Sequence, residues 1–336
     1  MKKVSMQNIA DKLGITKTLV HMALSNKYGV SEVTKSLIIT TAIDMGYDFN
    51  RIRTTNTAKK RTRVTLLLMQ WDLKANTFWN EIVCAIEQRC DQLNFDLNIK
   101  IWNEGNIENQ LFSSVFDDKT QGIIALNHFP IEIVAQCKKM NIQTVLIDSS
   151  KYFGCEYNQV RINNYDGGFR AAEYLYGHGH RKILFIGFAD YAFSLKERYR
   201  GFKDFTRKHE SIQCRFITDK SEDLMKLYDT EKLITNYKEM LPTAIMCIND
   251  AVTRHVYGDL KKIGISVGTD VSVMSFDCSV ETEYLSPKLT GIYFDKKNLG
   301  IEAVNLLKES LDKQDSIPKT ILLPTSLRER ESVITV

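Results

Sequence analysis

The first fifty residues repeat apolar positions at helical spacing. Ser5 precedes a segment, 6–13, in which Ile9, Ala10 and Leu13 share one face, and Gly14 follows where a helix would stop and turn. Thr16 stands where it would cap a second helix over 17–25, with Val20, Ala23 and Leu24 inward. After a loop at 26–30, Ser31 caps a third helix over 32–45, with Val33, Leu37, Ile38 and Met45 inward, and Gly46 ends it. Three short helices with a glycine turn between the first two predict a helix-turn-helix. In that motif the second helix enters the major groove of DNA, N-terminal end first.

The pattern then changes twice. Residues 50–63 hold one sizeable aliphatic side chain, Ile52, among Arg51, Arg53, Lys59, Lys60, Arg61 and Arg63, so this stretch cannot pack a core. From residue 64 onward short apolar runs alternate with longer amphipathic ones. Strands are predicted at 64–69, 95–101, 122–126, 144–147, 183–187, 215–218, 243–248 and 271–276, with helices such as 79–93, 168–176 and 252–263 between them. This alternation predicts an α/β body of parallel sheets with right-handed crossovers. Eight strands are too many for one core, so two lobes with two doubly wound sheets are expected.

Composition and charge narrow the function. The 336 residues are 43% apolar and 26% charged, which excludes wholesale disorder. Net charge is +4, but residues 1–63 hold 12 Lys and Arg against 4 Asp and Glu. A basic head on a mildly acidic body is the footprint of a nucleic-acid reader joined to something else. No apolar run approaches the roughly 20 residues that span a bilayer. Residues 1–11 lack the apolar core of a secretory leader, so a cytoplasmic location is expected. The seven cysteines form no C-x-x-C pair, as suits reduced thiols, and no metal or cofactor is expected.

In open parallel sheets ligands sit beyond the carboxyl ends of the strands. The predicted strand ends carry Gln70, Asp72, Asn127, Asp148, Asn249, Asp250 and Asp277. Amides and carboxylates can each bond adjacent hydroxyls, and Phe78 and Trp79, near the first strand end, offer faces for sugar C–H surfaces. Asp and Asn also recur after strands simply as helix caps.

Residues 4–50 resemble the DNA-binding head of the lactose/galactose-repressor family of bacterial transcription regulators. The resembling residues include Asn8-Ile9-Ala10, Gly14-Ile15-Thr16, Leu19-Val20, Ala23-Leu24-Ser25-Asn26, Gly29-Val30-Ser31 and Gly46-Tyr47. Stretches of the body resemble the periplasmic-binding-protein-like core of the same family: Asn164-Tyr165-Asp166-Gly167-Gly168, Gly179-His180-Arg181, Glu197-Arg198-Tyr199-Arg200-Gly201, Ile248-Asn249-Asp250, Phe276-Asp277 and Leu323-Pro324-Thr325. The resemblance implies a head over 1–49, a basic hinge over 50–63 and an effector-binding and dimerisation domain over 64–336. The first lobe would take about 64–162 and 292–321, the second about 163–291 and 322–336. The implied groove-facing residues are Lys17, Thr18 and Met22, with Thr16, His21 and Asn26 on phosphates. Ser5, Arg51, Arg53 and Asn56 complete the DNA-binding set. Met22 stands where many relatives carry a polar residue, so it can pack on a thymine methyl but cannot make a bidentate bond. Asn56 stands where the family has a Leu wedge in the minor groove, which implies weaker kinking. The implied effector contacts are Phe78, Trp79, Asp148, Asn163, Arg198, Asn249 and Asp277. Asn163 and Cys278 depart from the Asp frequent at those positions.

The expected protein is therefore a transcription regulator, a repressor, not an enzyme. As a homodimer it binds a partly palindromic double-stranded operator and answers to a small molecule, a sugar or sugar derivative. A purine-type corepressor regulator on the same scaffold and a sugar-binding receptor without gene regulation are the alternatives. For Arg198 the bland alternative is a surface ion pair with Glu197 or Asp204. Gly264-Ile265-Ser266-Val267-Gly268 mimics a hydrolase elbow, but a helix precedes it and a strand follows, the reverse of the order that motif needs. His178-Gly179-His180 has no further ligating residue close by and is expected to be a turn.

Overall fold

The computed structural model describes residues 4–24, 29–47, 61–70, 77–103, 120–149, 151, 156–217, 230–313 and 317–336. It divides into two compact units, Met1–Arg61 and Thr62–Val336.

In the first unit α1 (Met6–Leu13), α2 (Lys17–Leu24) and α3 (Glu32–Asp44) form where the spacing places them. Ser5 caps α1 in a reciprocal box with Asn8, which satisfies two otherwise orphaned N–H groups. Gly14 takes a left-handed φ of 66° and its N–H closes on the Ala10 carbonyl, a conformation that a side chain would strain. Ile9, Ala10, Val20, Ala23, Ile38, Ala42 and Tyr47 make the core. Val33 and Leu37, expected inward, are 82% and 56% exposed. The buried stripe of α3 runs through Ile38, Thr41 and Ala42, and both residues fall outside that arc.

The second unit holds two six-stranded sheets. The elements of the first are β1 (Thr62–Met69), α4 (Thr77–Gln92), β2 (Phe95–Trp102), β3 (Thr120–Leu126), α5 (Ile131–Lys139), β4 (Gln143–Ile147) and β5 (Asn158–Ile162). The chain continues through α6 (Asn164–Gly177), β6 (Lys182–Ile186), α7 (Phe193–Arg207), β7 (Gln213–Ile217), α8 (Thr230–Met240), β8 (Ala244–Cys247), α9 (Asp250–Lys262), β9 (Ser272–Asp277) and β10 (Thr290–Tyr293). It ends with α10 (Lys296–Asp312), β11 (Thr320–Leu323) and β12 (Ser326–Arg328).

The strand orders are β11-β5-β4-β3-β1-β2 and β12-β10-β9-β8-β6-β7. The two sheets thus repeat one winding. β1 and β6 each pair with strands that leave in opposite directions, which makes a switch point in each sheet. All pairs are parallel except β10 with β12. The eight predicted strands form within a few residues of their expected bounds. β5, β10, β11 and β12 are additional: each is short, and their polar or glycine positions (Asn158, Gln159, Gly291, Ser326) break the apolar run.

The chain crosses between the sheets three times, after Ile162, after Tyr293 and after Leu323. β11 therefore belongs to the first sheet through Leu323, two residues past the expected boundary at 321. α10 packs on α4, β3, β4 and β5 of the first lobe. Asn158, which opens β5 and is buried, donates to Ser310 of α10 at 2.9 Å and accepts from Lys319 N at 2.8 Å. In the second lobe α6 and α7 approach so closely that a Cβ at Gly168 would collide with the Arg198 carbonyl, and one at Gly201 with that of Tyr165. Among the described residues no helix is long and apolar enough to cross a membrane.

Candidate functional site

On the head, Thr16, Lys17 and Thr18 are exposed at the N-terminal end of α2, and His21 and Met22 are half-buried one turn on. They occupy the helix away from buried Val20 and Ala23. The Thr16 hydroxyl accepts from Leu19 N at 3.2 Å, so it caps the helix while remaining at the surface. Ser5 is committed to the α1 cap. Asn26, Arg51, Arg53 and Asn56 lie outside the described residues, as does Asp72.

In the body, the strand ends of the two lobes meet. Asp148 follows β4, with φ 39°, and is 4% exposed. Asp277 closes β9 in the other lobe, with φ 95°, and is 8% exposed. Between them lies Arg198 of α7, 3% exposed. Its NH2 pairs with Asp277 Oδ1 at 2.8 Å, its Nε donates to Asn164 Oδ1 at 2.9 Å and its NH1 donates to the Ile248 carbonyl at 3.1 Å. The guanidinium also stacks 3.8 Å from the Phe276 ring centre. The surface alternative for Arg198 is overturned: Glu197 pairs with Arg200, and Asp204 accepts from Tyr165.

Burial raises the Asp148 carboxyl above the ordinary carboxylate range. Arg198 and Arg161 oppose that rise, while Asp277 adds to it. Asp148 Oδ1 is buried and accepts no hydrogen bond. Asp250, at the start of α9, is pushed up to about 6 by burial and by Asp277, although Ser279 and Ser275 bond to it. Ser279 N and Oγ both reach its Oδ2 at 2.7 Å, and Ser275 Oγ reaches Oδ1 at 3.0 Å. Cys278 is a buried thiol that burial pushes up to about 12, so it adds no charge beside Asp277.

Asn163 and Asn249 use their Oδ1 atoms as caps, on Asp166 N at 3.4 Å and on Val252 N at 3.0 Å. Each thus stands at the mouth of a helix with its carbonyl end occupied. Phe78, 9% exposed at the start of α4, has Trp79 edge-on at 4.6 Å and Phe294 at 5.7 Å. Two aromatic contacts bridge the lobes beside the cleft. The Arg161 guanidinium lies 4.2 Å from the Phe193 ring centre, and the His128 and Tyr191 rings are 5.3 Å apart. Asn164, Arg161, Ser275, Ser279 and Lys296 were not singled out from the sequence. A lysine at the first position of a helix, where a cation is disfavoured, is the one signal that could have pointed to Lys296.

The decoys resolve locally. Gly264 turns out of α9 with φ 76°, and β9 begins at Ser272, so the Gly264–Gly268 motif connects a helix to a strand. His180 is fully buried, with Nδ1 on Thr243 Oγ1 and Nε2 on the Ile334 carbonyl, both at 3.0 Å.

Comparison with known proteins gives the same picture. Residues 172–333 match the family described as periplasmic binding protein-like domain. The HTH-type transcriptional repressor PurR of Actinobacillus pleuropneumoniae serotype 3 (strain JL03) is 24% identical over 98% of each chain. The crystal structure of the Lac repressor dimer bound to operator and the anti-inducer ONPF is 21% identical, with a TM-score of 0.69 over 99% of this chain and 100% of that one. The transcriptional regulator CelR–cellobiose complex is 19% identical, with a TM-score of 0.68 over 98% of this chain and 100% of that one.

Proposed function

We propose that this chain is a member of the lactose/galactose-repressor family of bacterial transcription regulators, a cytoplasmic homodimeric repressor whose effector is a sugar or sugar derivative. It is a ligand-controlled DNA-binding regulator and not an enzyme. In our reading α2 enters the major groove with Lys17, Thr18 and Met22 toward the bases and Thr16 and His21 toward phosphates. One small head reads half a site, so two are needed for a partly palindromic operator.

The observation that carries the effector reading is the pairing of Asp148 and Asp277 across the cleft with Arg198 between them. The Arg198 charge is already matched within the protein by Asp277, and its Nε and Nη1 donate to Asn164 and the Ile248 carbonyl. What remains unsatisfied is acceptor capacity, at the buried Asp148 Oδ1. Acceptors that face each other from two lobes suit a neutral ligand with several hydroxyl donors, and Phe78 supplies an apolar wall. The CelR structure holds cellobiose, a ligand of that chemistry.

A ligand that grips both lobes favours their closed arrangement and thereby shifts operator affinity. Coupling of about 1–3 kcal/mol corresponds to roughly 5–150-fold. Titration calorimetry of the full chain with neutral mono- and disaccharides, against nucleobases, tests the reading. A saccharide should bind and Asp277→Asn should abolish that heat. Binding of a nucleobase alone would replace the sugar reading with the corepressor one.

A further inference from the structure

Lys296 opens α10, the helix that returns the chain to the first lobe. A cation at the first position of a helix faces the positive end of the helix dipole, and a buried ammonium must find partners. Lys296 is 2% exposed. Its Nζ donates to the Asp277 carbonyl at 2.9 Å. It also stands 5.5 Å from the ring centre of Phe78 and 5.1 Å from that of Phe294. Phe78 is a wall of the cleft in the first lobe, and Asp277 is a wall in the second. One ammonium therefore touches both.

The Asp277 end of this contact is strained. Asp277 and the next residue, Cys278, both have left-handed backbones, with φ of 95° and 44°, a region that side chains disfavour. Such a turn persists only when its surroundings hold it. Asp250 holds it through the Ser279 N–H and hydroxyl, and Arg198 holds the Asp277 carboxylate, both from within the second lobe. Lys296 holds it from the first.

We propose that Lys296 is a positioning residue that ties the Asp277 turn to the Phe78 wall, so that the two walls of the cleft stabilise each other in this arrangement of the lobes. Its ammonium has no need of a ligand for this. The inference concerns the cleft assigned to the effector, yet its test uses no sugar and no DNA, so its failure is separate from failure of the sugar reading.

Amide hydrogen exchange on the full chain is the test. Lys296→Met keeps the buried stem and removes the charge and the donor. Exchange at residues 275–279 and at residues 78–82 should both accelerate, by on the order of tenfold, while the central strands β3 and β8 keep their protection. Lys296→Arg should restore most of it. No acceleration, acceleration at one wall only, a uniform rise through both sheets, or an Arg variant as fast as the Met variant would each overturn the proposal. Should Lys296→Met not fold, Lys296→Leu, which likewise removes the charge and the donor, is read by the same criteria.

Discussion

Arg198 commits its guanidinium to the interior: one carboxylate, one amide oxygen, one backbone carbonyl and one aromatic face. Truncation to Ala leaves Asp277 buried without its ion partner. Denaturant unfolding should show a loss of about 3–5 kcal/mol, the scale for breaking a buried pair from one side. His180 makes a different commitment. Burial lowers it to about 4 from an ordinary 6.5, so the folded state keeps it neutral while the unfolded state takes up a proton. The stability it contributes is complete above pH 6.5 and is lost as pH falls toward 4. Asp250 works in the opposite sense over an overlapping window, because the folded state holds its proton up to about pH 6 and gains stability as pH falls from there toward 4. The two are separated by subtraction: urea midpoints of His180→Gln, compared with the parent between pH 4 and 7, should lack the His180 slope and keep the Asp250 one.

Among the elements, the α6–α7 pair makes the sharpest demand on sequence. Gly168→Ala would push a methyl into the Arg198 carbonyl and displace the helix that carries Arg198. Thermal unfolding should reveal a loss of about 3 kcal/mol. Gly177, on the same helix, is exposed and has open space where a Cβ would go. Gly177→Ala should be neutral or stabilise by up to about 1 kcal/mol. These elements differ in how much of them is legible beforehand. Helical spacing, Ser5, Gly14 and Ser31 place the three head helices, because caps and periodicity are local physics. β1 and β3 are apolar runs buried in the middle of a sheet, and they announce themselves. β5, β10, β11 and β12 do not: two of them lie at sheet edges, and their pairing depends on partners far along the chain. The same division runs through the cleft. Asp148 and Asp277 are visible as strand-end carboxylates. That Asn163 and Asn249 cap helices is local physics too, whereas the burial of Arg198 depends on contacts no local pattern contains. Val33 and Leu37 misled for a related reason, since α3 carries more aliphatic residues than its buried arc accommodates.

At the scale of the molecule, charge is divided along the chain, with most of the surplus cations in the first 63 residues. Binding to a duplex should therefore weaken linearly in the logarithm of salt concentration, by about 0.9 in the slope for each phosphate neutralised. Fluorescence anisotropy across a salt series checks this. Lys17→Ala, at a position we propose faces the bases, should cost about 1–3 kcal/mol on a selected operator and much less on random duplex.

The three passages between lobes also constrain how the molecule is made. When Ile162 leaves the ribosome, the first sheet still lacks β11 and the cover of α10, and Asn158 lacks both Ser310 and Lys319. At about 5–20 residues per second, those pieces arrive on the order of ten seconds later. The nascent first lobe must wait, incomplete and adhesive, until the second has been almost wholly synthesised, so its dependence on chaperones in the cell should exceed that of a chain whose lobes are contiguous.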